Sequence, residues 1–217
     1  MRPSSTRSQI DYTLYLVTDR GLMTAASIED CVERAVVGGC TVVQLREKDA
    51  PSGEFYRTAL RVREIATRLG VPLIINDRAD IALAVGADGL HIGQDDLPYE
   101  AAREIMGENA IVGASVSSLE QALDAAMRGA DYLGVGAFFA TDTKTDATLM
   151  TMDELRLIRE QVSIPLVAIG GVNKTTIPQF AGSGLDGIAV VSAVVSQPDE
   201  TAAARELRAL FESMCGS

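Results

Sequence analysis

Short apolar runs alternate along the chain with longer stretches in which apolar residues recur every three or four positions. The runs are rich in Val, Ile and Leu and are nearly continuous, which is typical of parallel strands buried on both faces. The predicted strands are residues 12–18, 41–45, 72–76, 89–92, 110–114, 132–136, 165–169 and 187–191. Their alternation with helical stretches predicts βαβ units and a parallel sheet.

The stretches between the strands place apolar residues on one helical face. Similar faces begin at Phe55 and Leu119, and a last one runs over residues 201–214. The spacing of Ser118 and Gln121 predicts a capping box at a helix start. The first apolar helical face along the chain precedes all of these and contains Ile28, Cys31, Val32, Ala35 and Val36.

Eight strands that alternate with helices favour a closed (β/α)8 TIM barrel, although an open doubly wound sheet shows the same alternation. The 217 residues contain no linker-like or low-complexity stretch. We therefore expect one barrel domain over residues 1–217, with flexible ends at 1–10 and 215–217. A barrel places its active site at the C-terminal ends of its strands, so the polar residues that follow each strand are the candidates.

The charge and hydropathy of the chain limit the classes of partner that we expect. The chain has 19 basic and 30 acidic side chains and a net charge of −11, which argues against nucleic acid and anionic membranes as partners. No apolar run approaches the roughly 18–20 residues of a membrane helix, and the polar start of the chain shows no secretory signal. We expect a cytoplasmic protein that binds small molecules. A homo-oligomer remains an option.

Cysteine and histidine usage limits the chemistry. Cys31, Cys40 and Cys215 are odd in number and lack metal-ligand spacing, so reduced thiols are expected. His91 is the only histidine, which excludes multi-histidine metal sites. It lies inside a predicted strand without a nucleophile pattern, so we expect it to be structural or to position a neighbour.

Three cations lie at predicted strand ends. Arg46 and Lys48 follow the second strand two positions apart, and Lys144 follows a hydroxyl-rich loop after the sixth. On an acidic protein they indicate an anionic, phosphorylated substrate, although a solvated surface trio is the alternative.

Two carboxylates follow neighbouring strands. Asp77 comes after the third strand and Asp96 after the fourth. Carboxylates from adjacent strand ends can share one Mg²⁺, which commonly takes one or two carboxylates together with phosphates and waters. Helix N-caps and a general acid/base pair are the alternatives.

Glycines and hydroxyls complete the candidate rim. Gly170–Gly171 and Val191–Ser192 follow the seventh and eighth strands, where barrels often hold a phosphate, although the glycine pair alone is also typical of a turn. Ser115 lacks a GxSxG elbow, so we expect an anion-binding hydroxyl. The chain has no Walker A or GxGxxG motif.

Six blocks at predicted strand ends share one family's pattern. They are QLREK (44–48), ND (76–77), DGLHIGQDD (88–96), GVG (134–136), TDTK (141–144) and AIGG (168–171). In these blocks, and over nearly the whole chain from residue 15 to residue 193, the sequence resembles the thiamine-phosphate synthase family. Six blocks in order make this resemblance specific.

The resemblance implies an Mg²⁺-dependent transferase of thiamine biosynthesis that joins a hydroxymethylpyrimidine diphosphate to a thiazole phosphate and releases diphosphate. It implies that Gln44 contacts the pyrimidine and that Asp77 and Asp96 bind Mg²⁺. The residues it assigns to the diphosphate are Arg46, Lys48, Asn76, Ser115 and Lys144. Those it assigns to the thiazole phosphate are Thr141, Thr143, Gly171, Val191 and Ser192.

Two departures and three rival functions accompany this resemblance. Residues 137–140 read AFFA where the family usually has flanking prolines, and Ser115 is followed by Val-Ser in place of Ala-His. The rivals are a thiazole tautomerase, a phosphate-handling epimerase or isomerase barrel, and a non-catalytic barrel that binds a phosphate ligand.

Overall fold

The computed structural model describes residues 10–139 and 149–215, which form a closed barrel of eight parallel strands in sequential order. β1 pairs with both β2 and β8, so the sheet closes on itself. The strands are β1 (Leu14–Val17), β2 (Val42–Leu45), β3 (Leu73–Asn76), β4 (Gly89–Ile92), β5 (Ile111–Val116), β6 (Tyr132–Val135), β7 (Leu166–Ala168) and β8 (Gly187–Val190). The predicted TIM barrel is confirmed, and the open sheet is excluded.

Helices surround this barrel. They are α1 (Ile28–Gly38), α2 (Ser52–Leu69), α3 (Ala79–Val85), α4 (Tyr99–Met106), α5 (Leu119–Met127), α6 (Met152–Gln161), α7 (Ser192–Val195) and α8 (Glu200–Cys215). Between β7 and β8 the chain forms only a 3₁₀ helix, Ile177–Phe180. Pro178 near its start and positive φ angles at Gly182 and Gly184 are consistent with this short element.

The helix cap at Ser118 agrees with the prediction from the sequence, except for the partner of the Gln121 side chain. The Ser118 hydroxyl accepts from the Gln121 amide at 3.2 Å, as expected of an N-cap. The Gln121 side chain, however, accepts from the Ser117 amide at 2.8 Å, so the predicted reciprocal bond to Ser118 is wrong by one residue. Thr151 and Glu154 form a complete capping box at the start of α6.

The core has two layers. One lies between strands and helices, and the other fills the barrel interior. The buried members of the interior layer are Tyr12, Tyr15, Val42, Ile74, Ile111, Tyr132, Val167 and Ala189. A Cβ on Gly113 would lie 2.1 Å from Cζ of Tyr132, so this glycine provides the space for the Tyr132 ring.

The described chain ends differ in part from the flexible ends that the sequence predicts, whereas the described thiols are free as predicted. Ile10 packs against the interior layer and Cys215 is the last residue of α8, while the rest of the expected flexible ends lies outside the described residues. Cys31 and Cys40 are buried free thiols, and burial raises the pKa of Cys31 to about 11. Over residues 10–139 and 149–215, no helix combines the length and apolar character that crossing a membrane requires.

Candidate active site

The candidate residues lie at one rim of the barrel because parallel strands end on the same side. Gln44 lies in β2, Asn76 ends β3, and Ser115 lies near the end of β5. The other described candidates lie in the segments that follow their strands. Thr141, Thr143 and Lys144 lie outside the described residues. The described candidates are Gln44, Arg46, Lys48, Asn76, Asp77, Asp96, Ser115, Gly171, Val191 and Ser192.

Arg46 and Lys48 turn toward opposite neighbouring strand ends. Nη1 of Arg46 lies 3.2 Å from Oδ2 of Asp19, after β1, and Nζ of Lys48 lies 3.8 Å from Oδ2 of Asp77, after β3. The Arg46 side chain is only 29% exposed, and its amide donates to the Thr18 hydroxyl at 3.0 Å. Arg46 is therefore a fixed cation of the rim, which contradicts the surface-trio alternative for this residue.

Asp77 and Asp96 face each other across the ends of β3 and β4. Their carboxyl groups are close enough for Asp96 to affect the pKa of Asp77. Burial first, and then the neighbouring Asp96 carboxyl group, raise the pKa of Asp77 to about 6 against the opposing effect of Lys48 and Arg46. The two carboxyl groups thus form a close pair beside two cations.

The backbone fixes both carboxylates in place. Asp77 has a left-handed φ of 61°, and its amide donates to the His91 carbonyl at 2.9 Å. Oδ2 of Asp96 accepts from the Gly93 amide at 2.7 Å. The N-caps of α3 and α4 are Arg78 and Pro98, so the N-cap alternative is wrong for both aspartates.

The donor set fits Mg²⁺ better than a metal held by protein alone. The part of the chain that the structure describes has no group of three or more His, Cys, Asp or Glu side chains able to hold a metal ion. Asp77 and Asp96 supply two hard oxygen ligands and repel each other when both are ionised. Mg²⁺ suits such a pair because it keeps positions for phosphate oxygens and waters.

A row of hydrogen bonds crosses the barrel interior below the rim. We name its five members, Gln44, Tyr15, Tyr132, His91 and Ser115, the interior relay. Nε2 of Gln44 donates to the Tyr15 hydroxyl at 2.9 Å, and the Tyr15 and Tyr132 hydroxyls are 2.6 Å apart. Nδ1 and Nε2 of His91 lie 2.8 Å from the Tyr132 and Ser115 hydroxyls respectively. His91 thus contacts a candidate residue, in agreement with a positioning role.

A cavity of about 380 Å³ opens beside the cations. Glu47 lies in its wall, with Oε2 accepting from Nε of Arg20 at 3.0 Å and a buried Oε1 that has no hydrogen-bond partner within the described ranges. Burial raises the pKa of Glu47, and Arg20 opposes this shift. The charged side chains that line the cavity are Asp19, Arg20, Arg46, Glu47, Lys48, Asp49 and Glu54.

The opposite side of the rim is built from glycines and aromatic rings. Gly170 and Gly171 have φ angles of 83° and 71°, and Val191 is the N-cap of α7. The loop after β6 is anchored by Phe138 and Phe139, whose rings meet Phe180 edge-on with centroids 5.1 and 5.9 Å away. The described part of the AFFA loop therefore has its own packing against the β7 side.

We predict that Gly171→Ala destabilises the fold. A Cβ there would lie 2.5 Å from Cβ of Phe139 and would be held at positive φ. Gly182→Ala is the matched control because its φ of 68° is similar and nothing lies within 4 Å of its Cβ position. The free energy of unfolding in urea should fall by about 3 kcal/mol for Gly171→Ala and about 1 kcal/mol for the control. Equal losses would contradict the predicted clash.

Several residues of the site escaped prediction from sequence. Asp19 and Glu47 lie in conspicuous polar segments, but their partners Arg46 and Arg20 depend on the way neighbouring strand ends meet. Tyr15 and Tyr132 lie inside apolar strands. The tyrosine residues themselves indicate an interior hydrogen bond, because a buried tyrosine hydroxyl usually has a hydrogen-bond partner.

Comparisons with known proteins find relatives that match nearly the whole chain. A family model described as thiamine monophosphate synthase matches residues 14–194. A thiamine-phosphate synthase of Clostridium beijerinckii is 54% identical over 205 residues, covering 94% of this chain and 98% of the relative. One of Chloroflexus aurantiacus is 54% identical over 202 residues, covering 93% of each. The solved structure of thiamine phosphate pyrophosphorylase from Pyrococcus furiosus has a TM-score of 0.87 and 43% identity, covering 94% of this chain and 98% of that one.

Proposed function

The chain belongs to the thiamine monophosphate synthase family, and we propose that it is a thiamine-phosphate synthase that transfers a pyrimidinylmethyl group from diphosphate to the nitrogen of a thiazole phosphate. The substrates are 4-amino-2-methyl-5-hydroxymethylpyrimidine diphosphate and 4-methyl-5-(2-phosphooxyethyl)thiazole. The products are thiamine phosphate and diphosphate. The observation that carries this proposal is the close pair of Asp77 and Asp96 beside Arg46 and Lys48 at one rim.

The diphosphate half of the substrate occupies the side of the rim formed by β2 to β5. Arg46 is held by Asp19 and supplies planar N–H donors, while Lys48 supplies a mobile charge next to Asp77. Asn76 ends β3, and Ser115 lies near the end of β5. In this proposal Lys144 also binds the diphosphate. Arg46, Asn76 and Ser115 are positioned by their strands and, in this proposal, offset the charge that grows on the leaving oxygen.

Asp77 and Asp96 would hold Mg²⁺, which when bound neutralises negative charge on the diphosphate. Burial and the neighbouring Asp96 raise the pKa of Asp77, and a bound divalent cation would oppose both effects. Asp77 and Asp96 already balance Arg46 and Lys48 in formal charge, so the negative charge of an entering diphosphate would be offset by the divalent cation that enters with it.

The pyrimidine half lies over the barrel interior. Gln44 is buried at the position of β2 that precedes Arg46 by two residues, so both side chains face the same side of the strand. Its Nε2 is held by Tyr15, which fixes the amide orientation that the pyrimidine meets.

The coupling step needs no general base. The carbon–oxygen bond between the pyrimidine methylene and diphosphate breaks, and its electron pair leaves on the diphosphate oxygen. The lone pair of the thiazole nitrogen then forms the new carbon–nitrogen bond, and no proton is released. The pyrimidine amino group donates electrons to the cationic carbon, which favours a dissociative route. This chemistry agrees with a site whose only histidine bonds Tyr132 and Ser115.

The thiazole phosphate binds at the glycine side of the rim. Gly171 and the start of α7 at Val191–Ser192 follow adjacent strands, and backbone N–H groups at such a place bind phosphate. Thr141 and Thr143 complete this subsite in the proposal. The Phe138 and Phe139 anchors define the wall that faces it.

The decisive assay combines purified protein with both substrates in the presence of Mg²⁺ or of EDTA. We expect thiamine phosphate and diphosphate in equal amounts with Mg²⁺, and a loss of at least about 100-fold in EDTA because the carboxylates then repel the diphosphate. Full activity in EDTA would contradict the metal role.

The same samples separate the rival functions. Metal-independent turnover of a thiazole carboxylate phosphate would identify a tautomerase. Binding of thiamine phosphate without any release of diphosphate would identify a non-catalytic protein. Either result would overturn the proposed coupling reaction.

A further inference from the structure

The interior relay joins two residues that the proposed function assigns to different parts of one substrate. Gln44, at one end, is assigned to the pyrimidine, and Ser115, at the other end, to the diphosphate. Between them lie four contacts of 2.6 to 2.9 Å. Tyr15, Tyr132 and His91 are all buried, so water does not compete for these bonds.

With the Gln44 amide in its observed orientation, only one order gives both tyrosine protons an acceptor inside the relay. Gln44 Nε2 donates to the Tyr15 oxygen, so the single proton of Tyr15 goes to Tyr132, and that of Tyr132 goes to Nδ1 of His91. If Tyr132 donated to Tyr15 instead, the Tyr15 proton would have no acceptor in the relay. Burial raises the pKa of both tyrosines, so both protons are present.

This order fixes the histidine tautomer. A neutral imidazole that accepts at Nδ1 carries its proton on Nε2, and this proton points to the Ser115 oxygen 2.8 Å away. Ser115 therefore accepts from His91 and keeps its own proton for another partner. The Ser115 backbone is also held, because Nε2 of Gln94 donates to its carbonyl at 2.7 Å.

We propose that His91 and Tyr132 are positioning residues that make the Ser115 hydroxyl a hydrogen-bond donor to the leaving diphosphate, under the control of the Gln44 amide. This inference rests on the proposed function for the identity of the anion. A Gln44 amide turned by 180° would present Oε1 to Tyr15 and reverse every donor in the row. The Ser115 hydroxyl would then donate its hydrogen bond to His91 and could not donate it to the anion. A pyrimidine that holds the Gln44 amide in the observed orientation therefore favours diphosphate binding at Ser115.

The single histidine makes the tautomer directly measurable. In ¹⁵N-histidine-labelled protein at pH 8, where an ordinary imidazole with a pKa of about 6.5 is neutral, two-bond ¹H–¹⁵N spectra report which nitrogen carries the proton. We expect the proton on Nε2, both in the free protein and after addition of Mg²⁺ and inorganic diphosphate.

Tyr132→Phe tests the relay, and Tyr12→Phe is its matched control. Tyr132→Phe removes the donor to Nδ1, so we expect a mixture of tautomers and about tenfold weaker binding of inorganic diphosphate with Mg²⁺ by calorimetry. The Tyr12 ring centroid lies 4.9 Å from that of Tyr132, but the buried Tyr12 hydroxyl has no hydrogen-bond partner among the described residues. Tyr12→Phe should leave both measurements unchanged.

The outcomes separate this inference from the coupling function. A proton on Nδ1 in the wild-type protein overturns the relay even if Tyr132→Phe fails to fold. Equal diphosphate affinities of wild type and Tyr132→Phe overturn the control of Ser115. Neither measurement uses a pyrimidine or a thiazole, so both leave the coupling function standing. A wild-type protein with the expected tautomer that forms no thiamine phosphate would instead overturn only the proposed function.

Discussion

Asp77→Asn is expected to abolish thiamine phosphate formation while raising the stability of the metal-free protein at pH 8. The substitution removes one of two carboxylates proposed to hold Mg²⁺, so turnover should fall by at least about 10³-fold. It also removes the repulsion between Asp77 and Asp96. Asn accepts the left-handed φ of 61° at this position without new strain.

The sign of the stability change follows from the raised pKa. The Asp77 pKa rises from 3.8 to about 6 on folding, so the folded protein binds more protons than the unfolded chain between these values. The Asp77 contribution to the free energy of unfolding is therefore greatest below pH 3.8 and is lost as pH rises through 6. Asn stays neutral, so its advantage over Asp should grow between pH 3.8 and pH 6 and reach its full value of about 1 kcal/mol above pH 6.

Thermal unfolding in EDTA at pH 5 and pH 8 measures this difference, and the coupling assay with Mg²⁺ measures the loss of turnover. Asp95→Asn is the control because Asp95 is an exposed neighbour of Asp96 that is not assigned to the metal. It should change neither stability nor turnover greatly. A stability gain at pH 5 as large as that at pH 8 would contradict the carboxylate repulsion, and retained turnover would remove Asp77 from the metal site.

The part of the site that could be predicted depends on contacts between consecutive strands. Asp77 and Asp96 follow strands that are neighbours in sequence and also in the barrel, where Asn76 is in register with His91. Once eight strand–helix units predict a closed barrel, the proximity of Asp77 and Asp96 follows from the order of the strands. The same reasoning predicts that Arg46 and Lys48 join the rim.

The interior relay depends on contacts that no local pattern shows. Tyr15 and Tyr132 are 117 residues apart and belong to β1 and β6, which are not neighbours in the barrel. Their hydroxyls meet because large rings reach across the interior and Gly113 leaves room for one of them. A tyrosine in an apolar strand predicts burial, but its partner depends on the size of every side chain in that layer.

Arg46→Ala is expected to reduce kcat/KM by about 10²-fold with little loss of stability. The guanidinium is proposed to donate to the diphosphate as negative charge develops, and one such preorganised donor contributes roughly 3 kcal/mol to the transition state. Arg156→Ala is the matched control because Arg156 lies on α6 and, among the described residues, forms an exposed ion pair with Asp153 alone. Steady-state kinetics with saturating thiazole phosphate, together with urea unfolding, measure both effects.

Arg46→Lys and Asp19→Asn show whether charge alone or a fixed guanidinium supports the reaction. Lysine keeps the charge but loses the planar pair of donors, so we expect it to recover only about a tenth of the rate. Asp19→Asn keeps the guanidinium but weakens the contact that holds Nη1 at 3.2 Å, so it should raise KM for the pyrimidine diphosphate more than it lowers kcat. A fully active Arg46→Lys variant would reduce the role of Arg46 to a positive charge, and an unchanged rate in Arg46→Ala would exclude it from the site.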